Sequence, residues 1–134
     1  MKYRRLKGYK YDLVDAYVVD VPLAHALIHT PYIRIEEGVL TIAKHYAWDG
    51  PSGPTFDTKN FMRGSLIHDA LYQLMREGQL GRDFRDTADR LLQSICIEDG
   101  MSKFRAWYVY LGVKWGAKKS SMPRANPRGQ IITI

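Results

Sequence analysis

The sequence predicts an α+β domain in which an N-terminal β-hairpin and short sheet precede three helices. Residues 1–46 contain short runs of β-branched and aromatic residues separated by turn residues, a pattern typical of strands. From residue 59 onward, apolar residues recur at intervals of three and four, which marks one face of a helix. A chain of 134 residues with 46% hydrophobic residues suffices for one core. We therefore assign residues 1–119 to a single domain.

The β-rich part is predicted over residues 1–46. Residues 11–21 carry Val, Tyr and Ala in a strand-like mixture. Residues 32–35 and 39–42 flank Glu36, Glu37 and Gly38, which predicts a hairpin with a glycine-bearing turn.

Two histidines, His25 and His29, stand four residues apart between these strands. That spacing can hold a metal ion if both lie on a helix. The segment is short and bracketed by Pro22 and Pro31, and no third ligand is evident. We interpret both as ordinary surface or loop histidines.

A loop is predicted over residues 47–58, because two glycines and two prolines exclude a regular element. Such a loop can turn backbone carbonyls toward one point, as a hard cation requires. The helical part follows over residues 59–119, with Thr58 as a predicted N-cap.

The three predicted helices cover residues 60–77, 82–98 and 102–117, with the first ending near Gly78. Cys96, the only cysteine, falls in an apolar run of the second helix and is predicted to be a core residue. The third helix has a set of mostly aromatic residues at helical spacing, which we assign to the core rather than to a binding surface. They are Phe104, Trp107, Tyr108, Leu111 and Trp115.

Charge is concentrated at the ends of the chain. Lys and Arg outnumber Asp and Glu by 20 to 14, and residues 120–134 form a basic segment that we expect to be an extended tail outside the domain. Basic ends suit a polyanion, whether nucleic acid, anionic lipid or an acidic protein, or only a solvated surface. The N-terminus is charged and lacks the apolar region of a signal peptide, and no apolar run approaches the ~20 residues of a membrane span.

The chemistry-bearing pattern is His68 next to Asp69, with Tyr72 one helical turn later. A short connection predicts antiparallel packing of the first two helices, which brings Asp89 within reach of His68. A carboxylate on one imidazole nitrogen raises the basicity of the other nitrogen. Asp69 faces about a quarter-turn away and could meet the loop around Trp48. A buried polar cluster that only specifies helix register would use the same residues.

The motifs 49–54, 68–72 and 88–90 together resemble the core of phospholipase A2, in its prokaryotic and parvovirus-capsid forms. The shared features are a glycine-rich calcium loop, an HDxxY helix and an antiparallel helix with a second aspartate 21 residues beyond the histidine. The same stretch is similar to a family of small uncharacterised proteins of bacteriophages and prophages. The resemblance covers about residues 46–95.

The resemblance implies that His68 is a general base, that Asp89 orients His68, and that Tyr72 hydrogen-bonds Asp89. It also implies a Ca²⁺ ion as cofactor, held by the Asp69 carboxylate. Groups around three loop residues would complete the calcium site: Trp48, Asp49 and Gly50. The calcium would polarise the ester carbonyl.

The expected function is a calcium-dependent phospholipase A2-like ester hydrolase encoded by a phage. The alternative is a non-catalytic phage protein on the same scaffold, either a virion component or an inhibitor of a host protein. The expected partner is a phospholipid surface or a phage or host protein, and nucleic-acid binding is a third hypothesis. The expected location is the host cytoplasm or the virion.

Overall fold

The computed structural model of the chain describes residues 1–6, 11–48 and 59–116. Within them, short antiparallel strands precede three helices, which confirms the predicted α+β class. The strands are β1 (Tyr3–Arg5), β2 (Tyr11–Leu13), β3 (Tyr17–Asp20), β4 (Ile28–His29), β5 (Ile33–Glu36), β6 (Val39–Ile42) and β7 (Ala47–Trp48). The helices are α1 (Lys59–Arg76), α2 (Arg85–Glu98) and α3 (Lys103–Gly116), with a 3₁₀ turn at Arg82–Phe84 before α2.

The strands form two antiparallel sheets, one in the order β1-β2-β7 and the other in the order β3-β6-β5-β4. The predicted hairpin is confirmed as β5 and β6, with Ile35 opposite Leu40. Its turn consists of Glu37 and Gly38, both with positive φ, at 51° and 74°. A two-residue turn of this kind matches the right-handed twist of the strands it joins.

Two predictions for the β-rich part need correction. The strand-like stretch 11–21 is divided between β2 and β3, which belong to different sheets. The predicted loop at 47–58 begins too early, because residues 47 and 48 form β7, where Trp48 pairs with Tyr11. The Trp48 side chain is fully buried, and this burial holds the backbone in the sheet despite the glycines and prolines that follow it in sequence. Residues 49–58, with Thr58, lie outside the described part.

The two histidines do not lie on one helix. His25 lies in a turn and His29 lies on β4, and both side chains are exposed. His29 Nε2 is 3.6 Å from the Glu36 carboxylate. Both histidines therefore lie at the surface, as predicted.

The helix ends follow their sequence signals. Gly78 has a φ of 73°, and the Gln79 N–H donates to the Leu74 carbonyl at 2.8 Å, so a left-handed glycine ends α1 where it was predicted to end. The second predicted helix begins as the 3₁₀ turn and continues as α2.

Helices α1 and α2 pack closely, and residues later in α1 contact residues earlier in α2. Residue 72 contacts residue 89, whereas residue 63, near the start of α1, contacts residue 99, just past the end of α2. A Cβ built at Gly64 would lie 2.8 Å from Leu92 Cδ1 and 3.0 Å from Cys96 Sγ, so the absent side chain lets the helices approach.

The apolar residues form two clusters. The larger joins both sheets to α1 and includes Leu13, Ile35, Trp48, Leu66 and Leu74. The smaller lies between the three helices and contains Phe61, Leu92, Cys96, Met101, Ala106 and Val109. Cys96 is fully buried, which confirms its prediction as a core residue.

The predicted core role of the α3 aromatics is wrong. Phe104 is 71% exposed, Trp115 is 75% exposed, and Trp107 and Tyr108 are also exposed. The helix packs instead through its opposite face, with Ala106, Val109 and Tyr110 buried. Periodicity could not separate the two faces, because α3 is apolar on both.

No helix among residues 1–6, 11–48 and 59–116 is long and apolar enough to cross a bilayer. The predicted tail, residues 120–134, lies outside the described residues.

Candidate functional site

The predicted contact between His68 and Asp89 is present in the interior of the helix pair. His68 Nε2 lies 2.7 Å from Asp89 Oδ1, and the Tyr72 hydroxyl donates to the same oxygen at 2.6 Å. The His68 and Tyr72 rings are neighbours, with centroids 4.2 Å apart. His68 is 7% exposed and Asp89 is 1% exposed, so the three side chains form a buried polar network.

Local structure explains why these residues meet. His68 and Tyr72 are one turn apart on α1 and therefore project from the same face. Gly64, one turn before His68, keeps α2 close to that face. Asp89 lies on the buried side of α2, where Leu92 and Cys96 continue the apolar row toward the C-terminus.

The environment keeps Tyr72 in its neutral, donating form. Burial disfavours the phenolate and raises the pKa of Tyr72, and the hydrogen bond to Asp89 raises this pKa further. Tyr72 thus remains a hydrogen-bond donor throughout the physiological pH range.

Asp89 has an unbonded carboxylate oxygen and also lines a cavity. This oxygen, Oδ2, is buried and has no hydrogen-bond partner among the described residues. The cavity has a volume of about 300 Å³ and lies between the start of α2 and the end of α3. It is lined by Arg85, Asp86, Asp89, Lys114 and Trp115. A partly cationic cavity therefore borders Asp89, the residue whose carboxylate contacts His68.

Sequence reasoning did not select Arg85 as a site residue, although Arg85 is one turn before Asp89 on α2. That i, i+4 relation was the available signal. Arg85 Nη2 donates to the Lys114 carbonyl at the end of α3, and its Nε is buried without a partner among the described residues. Lys114 and Trp115 carried no comparable signal, since their place beside Asp89 depends on how α3 packs.

Asp86 fixes the two walls of this cavity to each other. It accepts hydrogen bonds from the Tyr110 hydroxyl at 2.6 Å and from Arg90 Nε at 2.8 Å. These bonds, that from Tyr110 first, lower the pKa of Asp86 below its usual range. The start of α2 is thereby tied to α3.

The structure describes two of the four predicted calcium ligands. Asp69 is half-buried on α1 and Trp48 ends β7, whereas Asp49 and Gly50 lie outside the described residues. Trp48 Nε1 donates to Ser65 Oγ at 3.2 Å. Ser65 is one turn before Asp69, so Trp48 is anchored to the face of α1 that carries Asp69.

A carboxylate is a ligand type that calcium prefers, and Asp69 is suited to that role by its chemistry. Within residues 1–6, 11–48 and 59–116, no group of three or more His, Cys, Asp or Glu side chains is placed to hold a metal ion. A backbone carbonyl, such as that of Trp48, is another ligand type that calcium accepts.

The arrangement can support proton transfer. Asp89 engages Nε2 of His68, and Nδ1 is the nitrogen that Asp89 does not engage. An imidazole held in this way has one nitrogen fixed and the other available to accept a proton.

Comparisons with protein-family models, with curated proteins and with solved structures find no match to this chain.

Proposed function

We propose that the protein is a calcium-dependent, phospholipase A2-like ester hydrolase encoded by a phage. The observation that carries the proposal is the 2.7 Å contact between His68 Nε2 and Asp89 Oδ1 in a buried site. The protein would act on a phospholipid surface, from the host cytoplasm or from the virion.

His68 is the general base in this proposal. Asp89 accepts a hydrogen bond from the Nε2–H of His68, so the Nδ1 lone pair can take a proton from the attacking water. The same proton is then returned to the alkoxide leaving group, which completes hydrolysis without net change in His68. Tyr72 supports this cycle by holding the Asp89 oxygen that His68 contacts.

The cation would be held by the Asp69 carboxylate together with oxygens around Trp48, Asp49 and Gly50. The hydrogen bond from Trp48 to Ser65 supports this assignment, because it holds Trp48, the residue before Asp49, at the face of α1 that carries Asp69. When bound, calcium supplies a Lewis acid that polarises the ester carbonyl and stabilises the oxyanion.

The test is fatty-acid release from phospholipid vesicles, with calcium and with a chelator. We expect calcium-dependent release that falls by roughly 10²- to 10⁴-fold in His68→Ala, the range for loss of a general base. His25→Ala is the matched control, since His25 is an exposed turn histidine, and it should retain full activity.

Two further variants separate the roles. Asp69→Asn should weaken the calcium dependence, whereas Asp83→Asn, on the exposed 3₁₀ turn, should not. Hydrolysis that is insensitive to the chelator, or unchanged in His68→Ala, contradicts the proposal.

The second candidate is a non-catalytic phage protein on the same scaffold. The observation in its favour is the low exposure of the His68 side chain, 9%, which suits a structural polar network. This candidate predicts that the wild type releases no fatty acid. It also predicts that Asp69→Ala still assembles into purified particles or still binds its host protein.

A further inference from the structure

One face of α3 forms an apolar surface that the described part of the chain leaves largely exposed, with only Leu111 partly buried. Its residues recur at helical spacing and project within about 100° of arc. They are Phe104, Trp107, Tyr108, Leu111 and Trp115. We call this face the aromatic stripe. Phe104, Trp107 and Tyr108 form a cluster with ring centroids 6.0–6.3 Å apart.

The stripe does not stabilise the described fold through burial. The buried residues of α3 lie on its other face, where Ala106 and Val109 join the small core cluster and Tyr110 contacts Asp86. A helix that is apolar on both faces is usually covered on both. Clustered exposed aromatic side chains therefore indicate an interaction surface.

Cations border the stripe on both sides. At 100° per residue, Lys103 and Lys114 lie along one edge and Arg105 lies along the other. No acidic residue occurs on α3. Residues 101–134 contain seven of the 20 Lys and Arg residues and none of the 14 Asp and Glu residues, so the remaining chain is nearly neutral.

This charge pattern selects the kind of partner. A second copy that docked through the same stripe would bring like charges together, with no acid on α3 to offset them. Rings on one helix face with cations at both borders are typical of a helix lying in a bilayer interface. In that setting, the basic side chains reach the anionic headgroups while the rings enter the apolar boundary.

We propose that the aromatic stripe and its bordering cations dock the protein on an anionic phospholipid surface. Lys114 and Trp115 also line the cavity beside Asp89, so docking would bring that cavity to the lipid. The link to catalysis rests on the proposed function, whereas docking itself requires neither calcium nor His68.

The test uses the full chain and sedimentation with vesicles in a chelating buffer. Phosphatidylcholine vesicles are compared with vesicles that also contain phosphatidylglycerol. We expect binding to the anionic vesicles that weakens as salt is raised, because the cation contribution is screened. Phe104→Ala/Trp107→Ala should lose tenfold or more in affinity, and Lys103→Glu should lose several-fold.

Matched controls come from the β-rich part of the chain. Leu27→Ala removes an exposed apolar side chain from the β-rich part, and Lys2→Glu reverses an exposed charge there. Both should bind like the wild type.

Tryptophan emission supplies a second readout. Trp107 and Trp115 are exposed and Trp48 is fully buried, so a blue shift on binding reports the stripe. Brominated lipid should quench the wild type strongly and Trp107→Phe/Trp115→Phe weakly.

Absence of binding to anionic vesicles overturns the proposal, as does equal binding by Phe104→Ala/Trp107→Ala and Leu27→Ala. Concentration-dependent dimerisation that the stripe variant abolishes, or tighter binding of single-stranded DNA than of vesicles, would assign the stripe to another partner and also overturn it. Binding without hydrolysis refutes only the proposed enzyme, and hydrolysis without stripe-dependent binding refutes only the docking proposal.

Discussion

At the scale of single residues, the site is a buried carboxylate with two donors on one oxygen. Asp89 is almost fully buried, and a buried charge is tolerated only if hydrogen bonds replace the lost water. His68 and Tyr72 supply these bonds to Oδ1. Removing either partner should therefore cost stability as well as any activity.

For Tyr72→Phe, we expect a loss of about 1–3 kcal/mol in the free energy of unfolding, because the buried Asp89 loses a donor. Urea denaturation at neutral pH measures this loss. Tyr108→Phe is the control, since the Tyr108 side chain is exposed, and it should leave stability unchanged. Equal stability of the two variants would contradict a stabilising Tyr72–Asp89 bond.

The raised pKa of Tyr72 makes a separate prediction at alkaline pH. Its folded pKa lies above the unfolded value of about 10, so its contribution is complete below pH ~10 and is lost as the pH rises further. Wild-type stability should therefore decline more steeply above pH ~10 than that of Tyr72→Phe. Denaturation midpoints measured across this range test the sign, and parallel declines would refute it.

At the scale of elements, the separation of α1 and α2 depends on Gly64. A methyl group there would meet Leu92 and Cys96 below normal contact distance. Close approach at this point brings Asp89 within hydrogen-bond distance of His68, one turn further along α1. The helix pair thus connects a packing glycine to the geometry of the site.

We expect Gly64→Ala to destabilise the protein, because overpacking costs about 1–3 kcal/mol and exceeds the helix-propensity gain of about 1 kcal/mol. Gly112→Ala on α3 is the matched control. A Cβ there meets nothing within 4 Å, so this change should stabilise by about 0.5–1 kcal/mol. Thermal unfolding compares the two, and stabilisation by both would show that the helix pair can accept the methyl group.

At the scale of the whole molecule, the smaller apolar cluster joins α3 to the rest. Arg63 on α1 adds a polar link, since it donates to the Asp99 carboxylate and to the Tyr17 hydroxyl of β3. Cys96 lies inside the cluster and has no exposed surface. Its thiol therefore reports whether the three helices stay together.

Burial raises the pKa of the Cys96 thiol to about 12, so little thiolate forms near neutral pH. We expect a thiol reagent to modify the native protein at pH 8 only as fast as the molecule opens, and to react rapidly in denaturant. With an aromatic disulfide as the reagent, each reaction releases an aromatic thiol, and the absorbance of that thiol measures the rate. Rapid reaction without denaturant would mean that the cluster opens locally.

The sequence predicted the parts of the fold that depend on local signals. The β5–β6 hairpin follows from Glu37 and Gly38, and the end of α1 follows from Gly78. The contact between His68 and Asp89 was also predictable, because helix geometry and a short connection limit the possible pairings. These features need no knowledge of distant packing.

Tertiary structure decided what local signals leave open. Trp48 is a strand residue because its indole is buried and bonded to Ser65, a contact across 17 positions. The aromatic stripe of α3 is exposed because Ala106 and Val109 occupy the only face that packs among the described residues. The sequence by itself determined the two helices and the face of each that carries its polar residues, since these depend on spacing within one helix. The short connection then limited how the two helices could pair. Which apolar face is buried, and which residues surround Asp89, was decided by burial energy summed over the whole molecule.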